Sequence, residues 1–93
     1  IAAFDGHEDE PDLLMLKADI LYAMARFGDA AKTYQKAAQK ESRHTGRAFL
    51  MAGYAAWHEN DISAARNAFE NAAVFDRQKK AAASALEQLR GMD

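Results

Sequence analysis

The residues of this chain that could bind a metal ion or transfer a proton are few and scattered. Three histidines occur, His7, His44 and His58, and no two of them are four residues apart. A helical zinc site usually pairs two histidines at that spacing beside a carboxylate, so we expect no metal site. Glu59 and Asp61 are better explained as turn and cap residues than as an acid/base pair.

Nucleophilic and phosphate-binding motifs are missing from the sequence. It has no cysteine, no glycine-rich phosphate loop and no serine in a nucleophile motif. We therefore expect a non-enzymatic protein with no catalytic residues, no metal and no cofactor.

One basic stripe runs through the middle of the chain. Lys32, Lys36 and Lys40 repeat at four-residue spacing, and Arg43 and Arg47 extend the stripe loosely. Nucleic-acid binding normally requires a more basic domain, and the net charge here is −2. We interpret the stripe as a solvated helix face and expect no nucleic-acid partner.

The start of the chain is acidic. Residues 5–12, "DGHEDEPD", carry five acids. A solvated linker that places negative charge at a helix N-terminus explains this run, and an acidic recognition tail is the alternative. The preceding "IAAF" suggests the stub of an earlier helix and a chain cut from a longer protein. No apolar run approaches 18 residues, so we expect no membrane span.

The composition favours helices throughout. The chain has 22 alanines, the best helix formers, and only six Val, Ile or Thr residues, which favour strands. We predict an all-α protein. Five helices are expected: one opening at Pro11, then about 29–41, 47–59 and 62–74, and a last one capped by Asp76. Gly28 and Gly46 are interpreted as turn and connector residues, and Thr45 as a helix cap.

The first helix is apolar on two sides. Leu14, Ala18, Leu21 and Ala25 form one stripe, and Leu13, Leu16, Ile20 and Met24 form a second. One stripe should face the partner helix of a hairpin. We expect the second to be partly uncovered, and to cause self-association into a homo-oligomer or to be covered by the "IAAF" segment.

An internal repeat relates the two halves of the chain. The pattern Ala-x-x-x-aromatic-x-x-Ala occurs at Ala30, Tyr34 and Ala37, and again 35 residues later at Ala65, Phe69 and Ala72. A helix pair that recurs at about 34 residues resembles the tetratricopeptide repeat (TPR) family. The TPR motif positions are occupied in the second unit by Phe49, Ala52, Gly53, Ala56, Ala65 and Phe69, and in the first unit by Leu14, Ala18, Leu21, Ala30 and Tyr34. Lys17 departs from the motif, as do Ser42 and Arg77 at the terminal proline positions.

The resemblance implies stacked antiparallel helix hairpins in a right-handed superhelix. Repeat 1 would span residues 12–44 and repeat 2 residues 45–75, with 76–93 as a capping helix after a linker at 1–11. In this reading Gly53 is small because two helices cross closely there, and Phe69 fills the space between hairpins. A plain four- or five-helix bundle is the competing structural reading.

The resemblance also implies a function. The family binds peptides or partner proteins in a concave groove lined by the first helix of each pair. The corresponding residues here are Asp12, Met15, Asp19, Tyr22, Arg47, Leu50, Tyr54, Trp57 and His58. Met15 and Asp19 stand where some members carry a Lys and Asn clamp for a terminal carboxylate, which argues against that ligand.

Three functions remain open at this point. The leading hypothesis is a non-catalytic protein–protein interaction module whose ligand is anchored at Tyr54 and Trp57. The alternatives are a structural or self-assembly segment of a longer repeat protein, and an accessory domain of a larger enzyme or membrane-associated complex. Tyr54 and Trp57 have a second reading as well, in which they pack beneath the last helix.

Overall fold

The computed structural model describes residues 10–92, and these form five α-helices with no strand among them. The helices are α1 (Pro11–Ala23), α2 (Phe27–Ala38), α3 (Thr45–His58), α4 (Ile62–Ala72) and α5 (Asp76–Leu89). The predicted all-α fold with five helices is therefore confirmed. The acidic run before Glu10 and the "IAAF" segment lie outside the described residues.

The helix starts follow the sequence signals in part. Pro11 occupies the first turn of α1, where its missing N–H is not needed. The Asp61 side chain caps α4 by accepting a hydrogen bond from the backbone N–H of Ala64 at 3.2 Å. Two expected caps are wrong. Phe75 is the N-cap of α5 and Asp76 is its first residue, while Thr45 lies inside α3 and its hydroxyl accepts from the N–H of Ser42.

The two hairpin turns have the same backbone structure. After α1, the N–H groups of Ala25 and Arg26 donate to the carbonyls of Tyr22 and Leu21, each at 2.9 Å. After α3, Asn60 donates to Trp57 at 2.8 Å and Asp61 donates to Ala56 at 2.9 Å. Both are Schellman turns, and their left-handed residues, Ala25 (φ 62°) and Asn60 (φ 60°), are 35 positions apart.

Two glycines that we predicted to mark a turn or connector lie inside helices instead. Gly28 is the second residue of α2, and a Cβ there would lie 3.0 Å from the Glu59 carboxylate. Gly46 is the second residue of α3, and a Cβ there would lie 2.8 Å from the Phe75 ring. At Gly46 the Phe75 ring leaves no room for a side chain, whereas at Gly28 the neighbouring atom belongs to the Glu59 side chain; no local turn signal reports either contact.

The helices pack mainly in chain order, each against its neighbours, and α5 also contacts α3. The short turns make consecutive helices of a hairpin antiparallel. The helices α1 and α3 run parallel, because Asp12 meets His44 near their first turns and Tyr22 meets His58 near their last turns. The protein is thus two hairpins side by side, with α5 covering the open side of the second.

The internal repeat is visible in the core. Ala30, Tyr34 and Ala37 of α2 are fully buried, and so are their counterparts of α4, Ala65, Phe69 and Ala72. In each hairpin one fully buried aromatic ring packs among many buried alanines, joined in the first hairpin by Leu14 and Met15. Ala82, Ala85 and Leu89 of α5 complete the second cluster.

Gly53 of α3 lies directly against the ring of Phe69 of α4. A Cβ at this position would lie 2.6 Å from Cε1 of the buried Phe69 ring, so any side chain must displace the ring. This agrees with the close crossing expected from the sequence.

We predict that Gly53→Leu overpacks this crossing and lowers the free energy of unfolding by about 1–3 kcal/mol. Chemical denaturation of the purified chain measures the effect. Ala83→Leu is the matched control, because Ala83 is exposed on α5 and should change stability by less than about 0.5 kcal/mol. Equal stability of the Gly53 variant and the wild type would contradict the close crossing.

The turn after α1 holds an alanine in the left-handed conformation, which costs an L-residue about 1–2 kcal/mol. Glycine has no such steric cost, so Ala25→Gly should stabilise the protein. The net gain should be up to about 1 kcal/mol, because the larger conformational entropy of glycine in the unfolded chain offsets part of it. Thermal unfolding measures the change. Ala83→Gly in mid-helix should instead destabilise by about 1 kcal/mol, and a loss of stability at both positions would contradict the turn geometry.

Candidate functional site

Two pairs of the predicted ligand-binding residues meet across the α1–α3 contact, Asp19 with Arg47 and Tyr22 with His58. At its start, the Asp12 carboxylate pairs with the His44 imidazole and lies 3.7 Å from the Arg43 guanidinium. Asp12 and Arg43 are mostly exposed, whereas His44 is largely covered. The acidic end of α1 is therefore paired with the connector before α3.

In the middle of this contact, Asp19 joins three helices. Its Oδ1 atom accepts a hydrogen bond from the Tyr34 hydroxyl of α2 at 2.5 Å and another from Nη2 of Arg47 of α3 at 2.9 Å. Tyr34 is fully buried. Burial, and secondarily the hydrogen bond to Asp19, raises the pKa of the Tyr34 hydroxyl well above its usual value of 10.

At the far end, aromatic rings and a histidine form one cluster. The Tyr22 hydroxyl and Nε2 of His58 lie 3.1 Å apart, and the His58 ring stacks on Phe27 with centroids 4.1 Å apart and planes 9° from parallel. Tyr22 also meets Phe27 edge-on at 5.1 Å. Burial is the main cause that raises the pKa of Tyr22.

Met15 does not lie on the surface as expected. Its side chain is 3% exposed and packs in the core with Leu14 and Ala18. Met15 is therefore covered by the core in this structure, whereas the predicted binding set placed it on the surface.

Tyr54 and Trp57 form the second part of the candidate site. Both rings are partly buried and stand edge-on against Phe69, with centroid distances of 5.2 Å for Tyr54 and 6.1 Å for Trp57. They line an open groove of about 480 Å³ together with His58. Leu50 is partly buried beside the same core cluster. The two readings of this pair are thus compatible: one side of each ring packs on the core of α4 and α5, and the other side lines the groove.

The described side chains of this surface are aromatic rings, an imidazole and paired charges. Among the described residues, no group of three His, Cys, Asp or Glu side chains could hold a metal ion. Two of the carboxylates in the predicted binding set have basic partners: Asp12 pairs with His44, and Asp19 pairs with Arg47. What remains accessible is an aromatic groove with one imidazole.

Sequence reasoning missed three contributors, namely Phe27, the Tyr34 hydroxyl and His44. In the sequence, Phe27 precedes the predicted second helix and has no assigned role, Tyr34 is named only as a position of the repeat motif, and His44 is considered only as a metal ligand. No local signal connects these residues to α1, since each contact spans a turn or a whole hairpin. The parallel arrangement of α1 and α3 that the internal repeat implies could have suggested Asp12, Asp19 and Tyr22 as their neighbours.

Comparison with known proteins found no match: no protein-family model, no curated protein and no solved structure matches the chain.

None of the helices in residues 10–92 is long and apolar enough to cross a membrane.

We predict that Tyr34 makes stability fall at high pH. Its hydroxyl titrates near pH 10 in the unfolded chain and at higher pH in the folded protein. The protonated hydroxyl therefore contributes to the free energy of unfolding below about pH 10. As the pH rises further, this contribution is lost at about 1.4 kcal/mol per pH unit. Urea denaturation between pH 8 and pH 11 measures this slope.

Tyr34→Phe should make the slope shallower, because phenylalanine does not ionise. Tyr54→Phe, the same substitution at a more accessible ring, should leave the steeper slope in place. If the Tyr34 variant kept the full slope, other groups would be responsible for it.

Proposed function

We propose that this chain is a non-catalytic protein–protein interaction module that binds a short peptide of a partner protein in the groove at Tyr54, Trp57 and His58. The observation that carries the proposal is the pair of partly exposed rings held edge-on against the buried Phe69. A ring fixed from beneath loses little rotational freedom when a ligand covers its other side. Tyr and Trp in such positions often dominate the binding energy of an interface.

We also infer that the hairpins are TPR-like and stack as in a right-handed superhelix. Three features support this: the 35-residue repeat of the Schellman turns, the equivalent buried positions of α2 and α4, and the parallel run of α1 and α3. In that family, peptides bind on the side formed by the first helix of each pair. Tyr54 and Trp57 lie on α3, which is the first helix of the second pair.

The paired charges narrow the ligand class. Asp19 and Arg47 neutralise each other beside the groove, and Asp12 is engaged by His44. A highly charged ligand would have to compete with these pairs. We therefore propose a peptide that inserts one aromatic or aliphatic side chain between Tyr54 and Trp57, and neither a polyanion nor a nucleic acid.

The groove contains the only tryptophan of the chain, so intrinsic fluorescence reports directly on it. Peptides selected from a random displayed library against the immobilised chain serve as probes. A peptide that fills the groove should shift the Trp57 emission to shorter wavelength, because the indole loses contact with water.

Trp57→Ala should weaken binding of such a peptide by at least about 2 kcal/mol, roughly thirtyfold. Val74→Ala is the control, since Val74 is an exposed apolar residue outside the groove. Trp57→Phe keeps a ring against Phe69 and separates lost binding from lost stability. Unchanged binding by a folded Trp57→Ala variant would place the ligand site elsewhere.

A further inference from the structure

One side of α1 is apolar and open. Leu16, Ile20 and Met24 are 57%, 52% and 60% exposed, and Leu13 is half-buried beside them. Lys17 lies in the centre of this face, because it follows Leu13 by four residues and precedes Ile20 by three. The sequence predicted that this stripe is partly uncovered, and the structure shows that it is.

The repeat identifies what covers the same face on α3. The corresponding residues of α3 lie 35 positions later in the chain. They are, in the order of Leu13, Leu16, Lys17, Ile20 and Met24, Ala48, Met51, Ala52, Ala55 and Glu59. The alanines of this set are buried in the cluster that also contains Ala30, Tyr34, Ala37 and Ala38 of α2. The face that is open on α1 is thus the face of α3 that α2 covers.

The surface that α2 presents beside α3 includes small residues. Gly28, Ala31, Lys32 and Gln35 line the same groove as Ala52 and Glu59 of α3. At one end of this groove a Cβ on Gly28 would lie 3.0 Å from the Glu59 carboxylate. Lys32 and Gln35 thus share a groove with Ala52, the counterpart of Lys17, and Gly28 is near Glu59, the counterpart of Met24.

Charge adds a second requirement. Lys17 and Lys32 line one surface depression, in which Arg26 is already paired with Asp29 at 2.7 Å. Lys17 is exposed and makes no ion pair within residues 10–92. A helix that covers this face would pair with Lys17 if it carried a carboxylate at that point. On α2, Gln35 lies in the comparable groove beside Ala52 of α3.

We propose that this face of α1 binds an amphipathic helix of a partner protein, which lies on α1 as α2 lies on α3. The partner helix carries a row of Gly and Ala against Leu16, Ile20 and Met24, and an Asp or Glu against Lys17. Because the side chains of α1 are larger than those of α3, the partner lies farther from α1 than α2 lies from α3.

A second copy of this chain fits the face less well. Two α1 helices packed about a two-fold axis bring Lys17 of both copies close to the axis, where the ammonium groups repel. Head-to-tail stacking would place α5 on α1, but Lys79, Lys80 and Glu87 make the outer side of α5 polar. Terminal elements of helical repeats carry such a polar side, and α1 lacks one.

The test uses the full chain and a labelled peptide with the sequence of residues 26–41 that carries Lys32→Ala and Gln35→Glu. Fluorescence anisotropy measures binding at peptide concentrations up to about 1 mM, since isolated short helices bind weakly. We expect saturable binding, a gain of helical circular dichroism, and no shift of the Trp57 emission. The last result separates this face from the Tyr54–Trp57 groove.

Ile20→Ser and Lys17→Glu should each weaken binding about tenfold or more. A peptide with Gln35→Lys should bind the Lys17→Glu chain better than the wild type, which tests the charge contact directly. Val74→Ser removes an exposed apolar residue elsewhere and should leave binding unchanged.

Three results would overturn the proposal. The first is absence of saturable binding by the full chain. The second is a dimer of the wild type in sedimentation that Ile20→Ser abolishes, because a second copy would then be the occupant. The third is binding that arises only after removal of residues 1–9, because the chain's own start would then be the occupant.

Discussion

Each hairpin of this protein closes around one buried aromatic ring. Tyr34 and Phe69 are fully buried, whereas most of the other buried contacts around them are made by alanine. Alanine lets two helices approach closely, and a single large ring then fills the gap that alanine leaves. This arrangement makes the spacing of the helices depend on Gly53, above which the Phe69 ring lies. The turns, the stacking order and the surface all follow from two hairpins built to the same plan.

The same two rings connect the core to the surface. The Tyr34 hydroxyl and the Arg47 guanidinium both donate hydrogen bonds to Asp19. A buried group of α2 therefore helps to position the contact between α1 and α3. Phe69 has no hydroxyl and supports Tyr54 and Trp57 from beneath. In the first hairpin the buried ring therefore positions charged side chains. In the second hairpin the buried ring supports the two rings that line the groove.

The two ends of the stack are also different. At one end α5 covers the second hairpin with Ala82, Ala85 and Leu89 and turns charged residues outwards. At the other end α1 has an apolar face that corresponds to a buried face of α3. Burial of an apolar side chain contributes roughly 25 cal/mol per Å², so a face of three large exposed side chains favours a covering helix. The repeat register indicates the kind of helix that fits.

Local and periodic patterns in the sequence were enough to predict the helical class, the number of helices and the 35-residue register. These follow from alanine content, the absence of strand-forming runs and the recurrence of Ala30-Tyr34 as Ala65-Phe69, all of which are local or periodic. It also indicated the uncovered stripe of α1 and the ring pair Tyr54 and Trp57.

The remaining features come from contacts between helices. Gly28 and Gly46 have the sequence signal of a turn, yet both lie in helices, and Gly46 lies close to the Phe75 ring from another part of the chain. Met15 has the spacing of a surface residue but is buried in the core. Asp12, Asp19 and Tyr22 find partners 15 to 36 residues away. A contact between two helices depends on how far apart they lie and how they are rotated, and neither quantity is encoded in the residues nearby.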